Sequence, residues 1–154
     1  APLLSESWSS AWEGGNWGPA WKGAFEGLSA AQAAWKPSHL DSEELSGARR
    51  DRVHSIWQIL NHIVFWREAM VRMLEPNGRP SDDEIARCNW EEPAPTDITE
   101  QAWADAKARY RASHELMADA IATSDENAKK LADMLPHDAY HFGQIYTMRA
   151  LLGV

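Results

Sequence analysis

The stretch Val53-His-Ser-Ile-Trp-Gln-Ile-Leu-Asn-His-Ile-Val-Phe-Trp-Arg-Glu-Ala-Met-Val-Arg-Met-Leu74 decides the fold class, because it runs for 22 residues without a glycine or a proline. Its apolar residues surround most of a helix's circumference, the pattern of a central helix rather than a surface one. His62 shares a face with Ser55, Gln58, Trp66, Ala69 and Met73, so an imidazole is set among large apolar side chains. A buried polar group without a partner costs about 1–3 kcal/mol. His62 therefore calls for a hydrogen bond or a metal ion.

Three further segments read as helices. Pro19 to Leu28 places Trp21, Phe25 and Leu28 at i, i+4 and i+7, with Pro19 suited to a first turn. A third helix opens at Asp97, whose side chain can cap it while Glu100 reaches back, and continues to about Thr123 with Trp103, Tyr110, Met117 and Ile121 as its buried stripe. The fourth starts near Pro136 and runs to Leu152, where Gly153 stops it. No segment reads as a strand. Four helices with three connections predict an all-α fold, an antiparallel four-helix bundle forming a single domain over residues 1–154. The connections from Ser29 to Arg52 and from Glu75 to Thr96 are long for a compact helical protein. They frame a pocket or hold short extra helices, since Ser29 with Gln32 makes a capping-box pattern and Ser81 to Ala86 suit a helix.

Composition narrows the function classes. The 154 residues are 44% hydrophobic, enough for one core, and carry a net charge of −8, which opposes binding of a polyanion. The short cluster Arg49, Arg50 and Arg52 reads as a solvated helix approach, so no nucleic-acid partner is expected. Cys88 is the sole cysteine, which excludes an intrachain disulfide or a cysteine-based zinc cluster and fits a reducing, cytoplasmic setting; it reads as an ordinary semi-buried thiol. No 18 successive apolar residues and no basic region followed by an apolar run occur, so neither a membrane span nor export is expected. The nine tryptophans read as core and dimer-interface packing rather than as an aromatic cage.

His137 and His141 are four residues apart, so on a helix both imidazoles lie one turn apart on the same face and can reach one ion. That face continues through Gln144, Met148 and Leu151, which turns it toward the core. With His62 from the central helix, three neutral imidazoles suit zinc, nickel, iron(II), cobalt or copper and leave coordination positions open. An ion so held can lower the pKa of bound water to about 7 or bind a thiol as thiolate. Tyr140 and Gln144 lie close to His137 on the helix wheel and are candidates for orienting water, substrate or an imidazole. Asp138 completes His137-Asp-x-x-His141, which differs from the zincin H-E-x-x-H in its shorter acid, and that difference weakens a metalloprotease reading. His114 reads as a hydrogen-bonded core or edge histidine, His54 as a capping or ligand-contacting residue, and His39 as a loop residue without a role.

Two of these stretches resemble the DinB-like (YfiT-like) superfamily. His54-Ser-Ile-Trp57-Gln-Ile-Leu-Asn-His62-Ile is similar to its second-helix motif and His137-Asp-Ala-Tyr-His141-Phe-Gly143-Gln144-Ile to its fourth-helix motif, while Asn16-Trp17-Gly18-Pro19 resembles its N-terminal feature. The resemblance implies a four-helix bundle, frequent dimerisation and a three-histidine metal site at His62, His137 and His141. The polymerase that shares the DinB name is unrelated. Characterised members of the wider superfamily use low-molecular-weight thiols, as bacillithiol transferases and a mycothiol-dependent isomerase. The expectation is a metal-dependent enzyme activating a small thiol, with a metal-dependent hydrolase or a non-catalytic, stress-associated metal protein as the alternatives.

Overall fold

A computed structural model describes residues 2–37 and 53–154. His39 and the Arg49, Arg50 and Arg52 cluster lie outside the described residues. Helix α1 spans Pro2–Glu13, α2 Ala30–Ala34, α3 Ile56–Arg72, α4 Asp82–Cys88, α5 Glu100–Thr123, α6 Asp125–Leu131 and α7 Met134–Leu152, and there is no strand among the described residues. No described helix is long and apolar enough to cross a membrane.

The helix expected over Pro19 to Leu28 is replaced by a single 3-10 turn, Trp21–Gly23, followed by turns. Gly27 adopts φ +75°, a left-handed conformation incompatible with a continuing helix. Trp21, Phe25 and Leu28 are nonetheless buried, so the spacing marked core residues correctly in a non-helical segment. The first long helix is instead α1, which buries Trp8 and Ala11.

Caps fix the other helix starts. Ser55 caps α3 in a complete capping box, its hydroxyl accepting from Gln58 N while the Gln58 side chain accepts from Ser55 N. The same box at Ser29 and Gln32 starts α2, and Ser81 caps α4. Helix α5 is capped by Thr99 rather than Asp97, which sits in the preceding 3-10 turn. Glu100 then turns away from its own helix and accepts from Ala30 N at 2.9 Å, satisfying a donor at the start of α2. Pro136 lies in the first turn of α7, where a missing N–H costs nothing, and Gly153 ends that helix at φ +74°.

Side-chain pairs give the directions of the long helices. Trp8 and Trp12 of α1 meet His114 and Tyr110 of α5 in reverse order, so those two helices are antiparallel. Trp57 meets Trp103, and Arg67 reaches Ser113, so α3 and α5 run parallel. Helix α7 is antiparallel to α3, with His62 facing His137 and His141 while Met70 and Met134 line the same cavity one turn and more away. The bundle thus combines antiparallel pairs with parallel ones, α3 beside α5 among them. A parallel neighbour requires a crossover along the whole bundle, which accounts for the long connection between α3 and α5.

Candidate metal centre

The three predicted histidines come together: one ring nitrogen from each of His62, His137 and His141 lies within 4.8 Å of the others, a cluster that could hold a metal ion. His62 projects from the middle of α3, and His137 and His141 from the first half of α7. His62 and His141 are buried, and His137 is partly exposed at the mouth.

Each ring is held at its δ nitrogen by an oxygen. Asn89 Oδ1 lies 2.7 Å from His62 Nδ1, Asp138 Oδ1 3.0 Å from His137 Nδ1, and Gln144 Oε1 2.7 Å from His141 Nδ1. The tautomers follow from chemistry. Asn89 Oδ1 also accepts from Trp66 Nε1, a group that can only donate, so the atom is an oxygen and His62 must donate to it from Nδ1. A carboxylate is likewise an acceptor, so His137 donates to Asp138. His62 and His137 thus each point an ε nitrogen at the other, and His141, with Gln144 Oε1 against its δ nitrogen, completes the cluster.

The ε nitrogens of His62 and His137 are 3.1 Å apart. Two ring nitrogens at that distance share either a proton or a cation. Metal–nitrogen bonds of about 2.1 Å at angles between a right angle and a tetrahedral one separate two ligand nitrogens by roughly 3.0–3.4 Å. The His62–His137 spacing falls in that range, so this pair is spaced as two ligands of one divalent transition metal are, and His141 lies close enough to be the third. Burial, followed by the charge of His141, depresses the His62 pKa from 6.5 to about 3, and burial also lowers that of His141. Both rings are thus neutral near neutral pH, the form a metal requires.

A cavity of about 550 Å³ opens over the cluster, walled by Trp66, Met70, Trp90, Met134 and Tyr140, with Asp133 at its edge. Trp90 stacks between two imidazoles, with ring centroids 3.7 Å from both His54 and His62. His54 thus supports Trp90 and not the ligand positions. Gln144 Nε2 donates to the Tyr140 hydroxyl at 3.2 Å, which joins both candidate residues to His141. Tyr140 is otherwise exposed, at 65%. His114 stands apart from the cluster, stacked against Trp8 and Trp12, and its Nδ1 has no hydrogen-bond partner among the described residues. Cys88 is partly buried.

Neither helical periodicity nor any motif singles out Asn89, Trp90 or Arg67. Asn89 and Trp90 follow α4 within a connection that periodicity reads only as loop, although the Ser81 cap marks the helix that delivers them.

An all-α bundle with three converging imidazoles and a separate oxygen holding each one defines the class of protein. A family model of the DinB superfamily matches residues 19–153, and the chain belongs to that superfamily. No curated protein and no solved structure matches the chain.

Proposed function

We propose that this protein binds one divalent transition-metal ion of the zinc, nickel, iron(II) or cobalt group through His62, His137 and His141, and that it is an enzyme activating a low-molecular-weight thiol for transfer to a small electrophile. The observation that carries the metal reading is the convergence of three ring nitrogens, one from each histidine, with an oxygen against the δ nitrogen of each ring. An ion bound there supplies Lewis acidity, which brings the pKa of a coordinated thiol or water toward neutrality.

The chain's own residues favour the thiol over water. The carboxylates nearest the cluster are poorly placed as a general base for hydrolysis: Asp138 is fully buried and engaged by Arg67 and His137, and Asp133 is exposed at the edge of the cavity. A thiol acidic enough to ionise on binding has less need of such a base. Trp66, Met70, Trp90 and Met134 give the reacting face an apolar wall. Tyr140 accepts from Gln144, which leaves its own proton free to donate to a developing negative charge on the electrophile. Tyr140 and Gln144 also line a second cavity of about 550 Å³ with Val53, Ile59 and Met148, so two reactants can approach from the two sides of one tyrosine.

The test is metal content of untagged protein together with thiol-dependent conjugation of a chromogenic electrophile. Wild type is expected to hold close to one equivalent of metal, and H62A, H137A and H141A each to lose most of it along with turnover. Undiminished metal in all three variants would sink the site. Ester hydrolysis without added thiol would move the reading to a hydrolase, and loaded metal with neither activity would leave a non-catalytic metal protein.

A further inference from the structure

Arg67 and Asp138 form an ion pair of 2.7 Å between Nε and Oδ2 with both side chains at 0% exposure. A buried pair of this kind is a poor source of stability, since apolar residues of similar volume often do better. The arginine is moreover incompletely satisfied. Its Nη1 donates to Ser113 Oγ at 3.3 Å, while Nη2 has no hydrogen-bond partner among the described residues. The guanidinium instead lies 5.0 Å from the Tyr110 ring and 5.1 Å from that of Trp8. A costly, fixed cation in the core calls for a role other than packing.

Asp138 supplies that role, because its second oxygen accepts from His137 Nδ1. His137 is the most exposed of the three histidines, and Asp138 is the one partner described at its δ nitrogen. His62, by contrast, is covered by Trp90 as well as bonded to Asn89. The orientation of His137 therefore rests on one carboxylate, and the orientation of that carboxylate rests on Arg67.

We propose that Arg67 is a positioning residue for the metal centre: it clamps Asp138 from within the core so that His137 presents its ε nitrogen to the ion. This rests on the metal reading above. The chain Arg67–Asp138–His137 anchors the most exposed ligand to α1 and α5, through Trp8, Tyr110 and Ser113, as well as to α3. Removing the arginine leaves all three histidines in the sequence but frees one of them to turn.

The experiment compares R67M, D138N and the double variant R67M/D138N with wild type, reading zinc affinity by competition with a chromophoric chelator and the visible spectrum of the cobalt-loaded protein. The single variants are expected to lose about 10–100-fold in affinity, the usual effect of removing a group that orients a ligand. The double variant replaces the pair by two neutral groups, so its metal-free thermal stability should recover toward wild type while its affinity stays low and its cobalt spectrum altered. R67K, which retains a cation beside Asp138, should regain part of the affinity. A double variant that is stable and binds zinc as wild type does would overturn the inference and leave the metal reading intact. A wild-type protein that takes up no ion would overturn both.

Discussion

His62 and His114 are both buried imidazoles, and they differ in what satisfies them. His62 donates to Asn89 and faces the cluster, whereas His114 is sandwiched by Trp8 and Trp12 with an unpartnered Nδ1 among the described residues. Burial, with Arg67 adding to it against the opposing pull of Asp138 and Glu13, lowers the His114 pKa from 6.5 to about 4. A folded-state pKa below the unfolded one means the unfolded chain takes up protons first on acidification. Stability from His114 is therefore fully present above pH 6.5 and is lost as the pH falls toward 4. In metal-free protein, thermal unfolding followed from pH 7 to pH 4 should show a decline that is shallower in H114F. Equal slopes would refute this assignment. The two residues beside His141 should separate in kind: Q144A is expected to weaken zinc binding about 10-fold by freeing the ring. Y140F, which keeps the ring but loses the proton, should leave affinity unchanged and lower thiol-transfer turnover. Local spacing made His137 and His141 readable as a pair, and the run of apolar neighbours did the same for His62. Arg67 and Asn89 were not readable, because each acts across a gap in the chain, 71 residues in the case of Arg67 and its partner Asp138.

At the level of elements, the long amphipathic segments translated directly into α3, α5 and α7, while the expected side-chain cap at Asp97 passed to Thr99. The failure at Pro19 to Leu28 has a plain cause. Three apolar residues at helical spacing also meet one core from a 3-10 turn and the loop after it, and Gly23 and Gly27 in the same stretch permit that path. Helix α1 carries little periodic signal because its buried face consists of little more than Trp8 and Ala11 among serines. Its partner Tyr110 donates to Trp21 O at 2.9 Å, a contact that only the folded bundle creates. The capping box of Ser55 deserves a direct measurement, since it sets the start of the helix that carries His62 and Arg67. S55A is expected to lose about 1 kcal/mol in urea unfolding. A loss confined to a few tenths would mean that packing, not the cap, fixes the start of α3.

For the whole molecule, the two central links of the site join α3 to α7, the antiparallel pair at the heart of the bundle. An ion held by both helices binds the native state and not the unfolded one, so added zinc should raise the unfolding free energy by about 2.7 kcal/mol at a hundred times its dissociation constant. H137A should show almost none of this gain, which calorimetry with and without chelator can establish. No described helix is long and apolar enough to cross a membrane, and the charge of −8 opposes binding of a polyanion.

The 75-residue separation between His62 and His137 also bears on how the chain folds. Helices assemble from local contacts, but these two rings meet only after a long loop has closed, so their encounter belongs to the late part of the folding reaction. Interactions absent from the transition state slow unfolding without hastening folding. Stopped-flow measurements with saturating zinc should therefore find the refolding arm of the chevron unmoved and the unfolding arm lowered. The ion would act as a latch on a finished bundle, giving the protein persistence in time more than speed of assembly.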